Sequence, residues 1–285
     1  MSMTIVRDVR DLDRWAGGAF VPTMGALHEG HGSLISIAAG SGLPAVVSIF
    51  VNPTQFAPHE DLDRYPRTPE ADLELAARHG AAVCWFPSVE DLYPSGLDAA
   101  RREAATLALP AVACEPALED AIRPGHFAGV VQVVARLFDL CRPRRAIFGE
   151  KDFQQLRVIE CMVEEELQRG SRWGDLSIVR GPTIREPGGL AMSSRNRYLS
   201  AQSRERALGL RRALQVAHAA QRPETAERLM RETLLAHELE VQYAVVRDAE
   251  TLRPVSDLRR PTRALIAARL PEARLIDNSA MTIWR

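Results

Sequence analysis

The chain of 285 residues is 46% hydrophobic and 26% charged, with a formal net charge of −1. These values exclude an intrinsically disordered chain and leave room for one large domain or two modest ones, each with a real core. No apolar run reaches the ~20 residues of a bilayer-spanning helix, charges interrupt Met1–Trp15 where a signal peptide needs its apolar stretch, and the balanced charge argues against a nucleic-acid partner. A cytoplasmic protein is expected.

Ala19–Thr23 reads as a strand and His31–Ala39 as a helix. Ala45–Val51 is a β-branched run of the kind buried in parallel sheets. Pro69–His79 reads as a helix opened by proline and stopped near Gly80. Ala82–Phe86 is a further strand, Gly129–Cys141 a helix with Val130, Val133, Val134, Leu137 and Phe138 at helical spacing, and Ala146–Phe148 a short strand. Asp152–Leu167 then reads as a helix and Ser177–Val179 as a strand. Strands alternating with helices predict βαβ units and a parallel sheet, hence an α/β, Rossmann-like domain over residues 1–182. The GxGxxG dinucleotide fingerprint is absent from it. Residues 183–285 read as a smaller α+β domain, with helices over Ser203–Ala220 and Thr225–Glu238 and strands over Val241–Val246, Ala264–Leu270 and Arg274–Ile283. The turn-rich Arg185–Gly189 is the expected hinge. Cys84, Cys114, Cys141 and Cys161 stand far apart with no CxxC pair, so neither a zinc cluster nor a disulfide framework is expected.

Four segments carry chemistry. In the first, Met24-Gly25-Ala26-Leu27-His28-Glu29-Gly30-His31, a strand ends, a glycine-bearing turn follows and a helix begins. Ligands of open α/β sheets sit at the carboxyl ends of strands, where helix N-termini offer N–H groups to anions. Two histidines three residues apart across that turn suit a bound phosphate chain. The second, Gly149-Glu150-Lys151-Asp152, again joins a strand to a helix. It holds the only lysine among 36 basic residues. An ammonium is disfavoured at a helix N-terminus unless an anion lies between them, and its compact charge differs from the planar fork of arginine. The third, Met192-Ser193-Ser194-Arg195, offers hydroxyls and a guanidinium to phosphate oxygens. The fourth places the neutral amide of Gln55 after the strand Ala45–Val51, with Gln155 as its counterpart after Ala146–Phe148.

His28-Glu29-Gly30-His31 resembles the HxGH signature of the nucleotidylyltransferases, whose histidines hydrogen-bond ATP phosphates as the α–β bond breaks, and Met192–Arg195 resembles their KMSKS-type loop. On these residues alone, an enzyme that stops after transferring AMP fits as well. With Asn52-Pro53-Thr54-Gln55-Phe56, Tyr65-Pro66-Arg67-Thr68 and Arg123–Gly129 added, the pattern from about Phe20 to the C-terminal strands resembles the pantoate–β-alanine ligase family.

That resemblance implies a Rossmann-type domain holding ATP and pantoate, a C-terminal lid, a homodimer and magnesium. It implies amide formation through an acyl adenylate, giving pantothenate, AMP and pyrophosphate. Carried over, His31, His28 and Lys151 are the catalytic residues. Met24 to His31, Gly149 to Asp152, Ile184 and Met192 to Arg195 surround ATP. Gln55 and Gln155 hold pantoate, and Gln55 also lies near β-alanine. Some members have an acidic and amide cluster after the tyrosine-proline-arginine-threonine stretch as a metal site. Here Glu70-Ala71-Asp72-Leu73-Glu74-Leu75 leaves Asp72 as the matching acid, and the protein ligands of the metal are unassigned.

Overall fold

Six short apolar segments pair side by side in the computed structural model, which describes residues 3–56, 62–170 and 172–282. They are β1 (Thr4–Val6), β2 (Ala19–Thr23), β3 (Ala45–Ile49), β4 (Val83–Trp85), β5 (Arg145–Gly149) and β6 (Ser177–Gly181), in the order β1-β4-β3-β2-β5-β6. Every pairing is parallel, with Phe20 opposite both Val46 and Ala146. The alternation predicted from the sequence is therefore an α/β parallel sheet. The chain winds from β2 outward through β3 and β4, then returns to build β5 and β6 on the other side. The carboxyl ends of β2 and β5 flank that reversal, which is where ligands of open α/β sheets bind.

Both faces of the central strands are covered, which explains their continuous hydrophobicity. On one face, Ala19 and Val21 pack with Ile35 and Ala38 of α1 (Glu29–Ala39) and with Leu75 and Ala76 of α2 (Pro69–Arg78). On the other, Phe138 stacks edge-on to Phe20, Phe148 and Trp173 at centroid separations of 6.4, 6.4 and 5.4 Å. Such pairs add about 0.5–1.5 kcal/mol each beyond area burial.

Between β4 and β5 run α3 (Val89–Leu92), α4 (Leu97–Ala104), α5 (Glu119–Ile122) and α6 (His126–Cys141), and α7 (Phe153–Gln168) joins β5 to β6. Helix α6 starts three residues before the predicted Gly129, and β3 stops at Ile49 rather than Val51. Strand β1 and the helices α3 to α5 were not expected. They are three to eight residues long, too short for periodicity to show.

The chain divides into two compact units, one comprising Met1–Glu150 and Gln154–Pro182, the other Lys151–Phe153 and Thr183–Arg285. The second has α8 (Ala201–Ala217), α9 (Pro223–Ala236) and the antiparallel strands β7 (Glu240–Asp248), β8 (Thr262–Arg269) and β9 (Arg274–Ala280). Its core joins Leu210 and Leu214 of α8, Met230 and Leu234 of α9, Val246 of β7 and Ile266 of β8. The predicted end of the last strand, Ile283, lies outside the described residues.

Arg185–Gly189 is not an open hinge. The Glu186 N–H donates to Leu190 O, Met192 N–H donates to Ile184 O, and Arg185 forks onto the buried carboxylate of Asp277 at 2.7 and 3.0 Å. It is a hairpin anchored to β9 inside the second unit. Among the described residues, no helix is long and apolar enough to cross a membrane.

Candidate active site

At the end of β2, Thr23 anchors the turn by donating its hydroxyl to Ser48 O at 2.8 Å and accepting the Gly25 N–H at 3.3 Å. Gly25 (φ +80°) and Ala26 (φ +51°) then take successive left-handed conformations. The second costs an L-residue roughly 1–2 kcal/mol. Helix α1 begins at Glu29, two residues earlier than predicted, because the histidines themselves cap it. His28 is the N-cap and accepts the Gly30 N–H on Nδ1 at 3.2 Å, and His31 accepts the His28 N–H on Nδ1 at 3.3 Å. The ring centroids lie 4.1 Å apart. A neutral imidazole that accepts at Nδ1 carries its proton on Nε2, so this turn makes both rings Nε2 donors. Ser, Thr, Asp and Asn are the usual caps, which is why the sequence hid the helix start.

Two contacts from α2 hold this turn. Asp72, 2% exposed, accepts the Leu27 N–H at 2.7 Å and the Thr68 hydroxyl at 3.0 Å on Oδ1, and the Ala26 N–H at 3.0 Å on Oδ2. Hydrogen bonds to a charged group contribute about 1.5–3 kcal/mol each, enough to offset the strain at Ala26. The amides of Ala26 and Leu27 are thereby engaged inside the protein. At the far end of α2, Arg78 and His79 bind the Glu29 carboxylate at 2.8 and 2.9 Å, and His79 Nδ1 meets Ser36 Oγ at 2.9 Å.

The acid matched to the metal cluster of some relatives is thus buried and bonded to three protein donors. Among the described residues, no group of three or more His, Cys, Asp or Glu is arranged to hold a metal ion. The described residues therefore do not form a protein-held magnesium site.

Gln55 is 8% exposed at the end of a 3-10 turn, Pro53–Gln55, that follows β3. Its Oε1 accepts from Asn52 Nδ2 at 3.0 Å and its Nε2 lies 3.1 Å from the Met24 sulfur, so the structure brings together the first and fourth sequence segments. Asn52 is the organiser here. Its amide also donates to Gly129 O, and its Oδ1 accepts the Tyr93 hydroxyl at 2.7 Å. Burial pushes the Tyr93 phenol up to about 12, with its hydrogen bonds to Thr54 and Asn52 pulling the other way, so it stays a donor. His126 Nδ1 meets Gln55 O at 3.1 Å. Asn52, Tyr93, His126 and Gly129 were missed as supports. An Asn-Pro pair marks a turn and could have drawn attention to Asn52, but the other three act through tertiary contacts that no local pattern announces. Gln155 is half-buried on the first turn of α7. Its neighbour Gln154 is fully buried and commits its amide to the Glu119 N–H, Val112 O and Asp120.

Gly149 ends β5, and a 3-10 turn, Glu150–Asp152, leads into α7. Lys151 Nζ lies 3.3 Å from Asp152 Oδ1 and its side chain is 20% exposed, which is well shielded for a lysine. In the second unit, Lys151 O accepts from Asn278 Nδ2 at 2.7 Å, Asn278 Oδ1 accepts from Arg263 Nε at 2.7 Å, and Arg263 sits 4.0 Å above the Phe153 ring. The same unit pairs Ile184 O with Met192 N–H at 2.9 Å, joining two predicted nucleotide contacts. Ser193 caps the next turn by accepting the Arg195 N–H at 3.3 Å, and Ser194 is buried. Asn196, also missed, braces this loop by donating to Glu186 and to Ala191 O at 2.7 and 3.0 Å.

The family model described as pantoate-beta-alanine ligase matches residues 3–280. The pantothenate synthetase of Rubrobacter xylanophilus is 49% identical over 288 aligned residues, covering 96% of either chain. That of Acidiphilium cryptum is 45% identical over 98% of this chain and all of its own. Among solved structures, the pantothenate synthetase of Thermus thermophilus superposes with a TM-score of 0.87 at 42% identity, covering 97% and 99% of the two chains. The pantoate-beta-alanine ligase of Francisella tularensis, complexed with beta-gamma ATP and beta-alanine, gives 0.75 at 30% identity over 98% of each. A parallel sheet with paired imidazole donors at the carboxyl end of β2 and a buried amide cluster beside them accords with these matches along the whole chain, and the protein belongs to the pantoate–β-alanine ligase family.

Proposed function

We propose that the chain condenses pantoate with β-alanine, consuming ATP, in two steps. A pantoate carboxylate oxygen attacks the α-phosphorus, the α–β bridging bond breaks, and pyrophosphate leaves. The β-alanine amine then attacks the adenylate carbonyl and loses a proton, the amide forms, and AMP leaves carrying the former carboxylate oxygen. Adenylation is needed because a carboxylate is a poor electrophile with no usable leaving group. The adenylate must be kept from water until the amine arrives, the role this reading gives to a lid over residues 183–285.

The observation that carries the reading is the histidine cap of α1. Nδ1 of each ring accepts a backbone N–H, which orients the two imidazoles at the carboxyl end of β2, and in this reading phosphate oxygens meet them at Nε2. In this scheme His31 and His28 stabilise the charge that develops on the departing pyrophosphate, and Lys151 adds a compact positive charge. The segments Met24–His31, Gly149–Asp152, Ile184 and Met192–Arg195 contact ATP. Gln55 and Gln155 read pantoate, with Gln55 also near β-alanine. Because the Ala26 and Leu27 amides already bind Asp72, those two residues serve the nucleotide by shape rather than as N–H donors. Magnesium belongs to the substrate, entering bound to ATP phosphates and water, which needs few protein ligands. A cytoplasmic location, expected from the sequence composition, and a homodimer, implied by the family resemblance alone, complete the reading.

The test is product analysis with ATP, magnesium, pantoate and β-alanine. Equimolar pantothenate and AMP are expected. ADP as product, or AMP transfer with no amide formed, would overturn the reading.

A further inference from the structure

We propose that Asp72 is a positioning residue for the two-histidine turn and not a metal ligand. This rests on the reading above, in which that turn handles ATP. The geometry points to it in three steps. First, the carboxylate is buried and meets three donors, the N–H groups of Ala26 and Leu27 and the Thr68 hydroxyl, all within 3.0 Å. A cation would have to reach a carboxylate that is 2% exposed and already shared among three protein donors. Second, the donors belong to the turn that carries His28. Leu27 precedes His28, the His28 N–H donates to the His31 ring, and the His28 ring receives the Gly30 N–H. A shift of the backbone at residues 26 and 27 therefore moves the hydrogen bonds that orient both imidazoles. Third, the fit is close. A Cβ at Gly25 would lie 3.1 Å from Asp72 Oδ2, so the carboxylate and the left-handed turn are shaped to each other. The end of α2 grips the motif a second time through Arg78 and the following His79 on Glu29, one of the two residues between the histidines. The helix acts as a brace held at both ends.

The experiment compares Asp72→Asn and Thr68→Val with the parent enzyme. The asparagine places an N–H donor against one backbone N–H, whereas the valine removes only the hydroxyl, so the second variant carries the test should the first fail to fold. Amide hydrogen exchange reads the clamp without turnover. The Ala26 and Leu27 amides should exchange about tenfold faster or more in Asp72→Asn, with protection elsewhere kept. Turnover should fall about 10–100-fold, the scale of a misplaced reactive group, while the magnesium concentration giving half-maximal rate stays within about twofold because no ligand has been lost. Thr68→Val should move exchange and kcat in the same directions by a few-fold. Recovery of the parent rate at high magnesium would make Asp72 a ligand and overturn the proposal. Faster exchange with kcat unchanged would leave Asp72 purely structural and overturn it equally. If His31→Ala also turned over normally in the same assay, the ATP reading itself would fail, which the exchange data would distinguish from failure of the clamp.

Discussion

Replacing Gly129 with alanine adds one carbon where α6 crosses the Pro53–Gln55 turn. That carbon would lie 2.6 Å from the Thr54 carbonyl oxygen and 2.7 Å from both Cα and N of Gln55. All three are backbone atoms, so no side-chain rotation relieves the clash. Ordinary contact begins at 3.4 Å, and the turn must therefore retreat by about 0.8 Å, an overpacking that costs roughly 1–3 kcal/mol of stability. Asn52 moves too, because its amide bridges Gln55 Oε1 and the Gly129 carbonyl. Near 1 Å of displacement of a substrate-positioning group costs about 100-fold in rate. The assay is steady-state kinetics with pantoate varied at saturating ATP and then ATP varied at saturating pantoate, after circular dichroism has shown a folded protein. kcat/KM for pantoate should fall about 100-fold while the apparent KM for ATP moves less than about twofold. A folded variant with normal kcat/KM for pantoate, or one whose loss falls on ATP instead, would refute the placement of Gln55 in the pantoate pocket.

Three further outcomes follow from particular side chains. His31→Ala should lower kcat about 10²–10³-fold, the loss typical of one donor to developing charge, with the protein still folded and its melting temperature lowered by only a few degrees for the lost cap contact; near-normal turnover would remove His31 from the chemistry. Lys151→Arg should be nearly as damaging as Lys151→Ala, since a planar fork does not replace a compact ammonium between phosphates. Because Lys151 is the only lysine, amine-reactive labelling should be blocked there by ATP, and equal labelling with and without ATP would contradict the assignment. Thiol reagents at neutral pH should modify the exposed Cys114 first, then the half-buried Cys161. Burial raises the buried thiols, Cys84 to about 12 and Cys141 further still, so both should stay unmodified in the folded protein. Early loss of either would contradict the packing of β4 or α6.

The parallel sheet was legible because each long helix and each central strand has its own periodicity, and burial on both faces makes β3 a continuous β-branched run. The edge strand β1 was not, because three residues among charged neighbours carry no pattern. The histidine motif was legible as a strand–turn–helix junction. The capping geometry that orients its two rings was hidden, since it depends on imidazoles doing what hydroxyls and carboxylates usually do. Asp72 shows the opposite limit. Its place in the sequence matched an acid of some relatives' metal cluster, with the ligands left unassigned, and only the fold shows that it accepts from two backbone amides forty-five and forty-six residues away. Gln55 stood out in the sequence as an amide after a strand, but Asn52, Tyr93 and Gly129, which surround it, come from three separate stretches of chain and meet only in the folded core.

The adenylate intermediate is tested most directly by running the first half-reaction alone. With ATP, magnesium and pantoate but no β-alanine, labelled pyrophosphate should exchange into ATP. The histidine cap, Lys151 and the Ser193–Arg195 turn all serve cleavage between the α and β phosphates in this account, and none requires an amine. Oxygen label placed in the pantoate carboxylate should appear in AMP once β-alanine is added. Exchange that strictly requires β-alanine, or label recovered in inorganic phosphate with ADP as the nucleotide product, would contradict the account even if pantothenate were made.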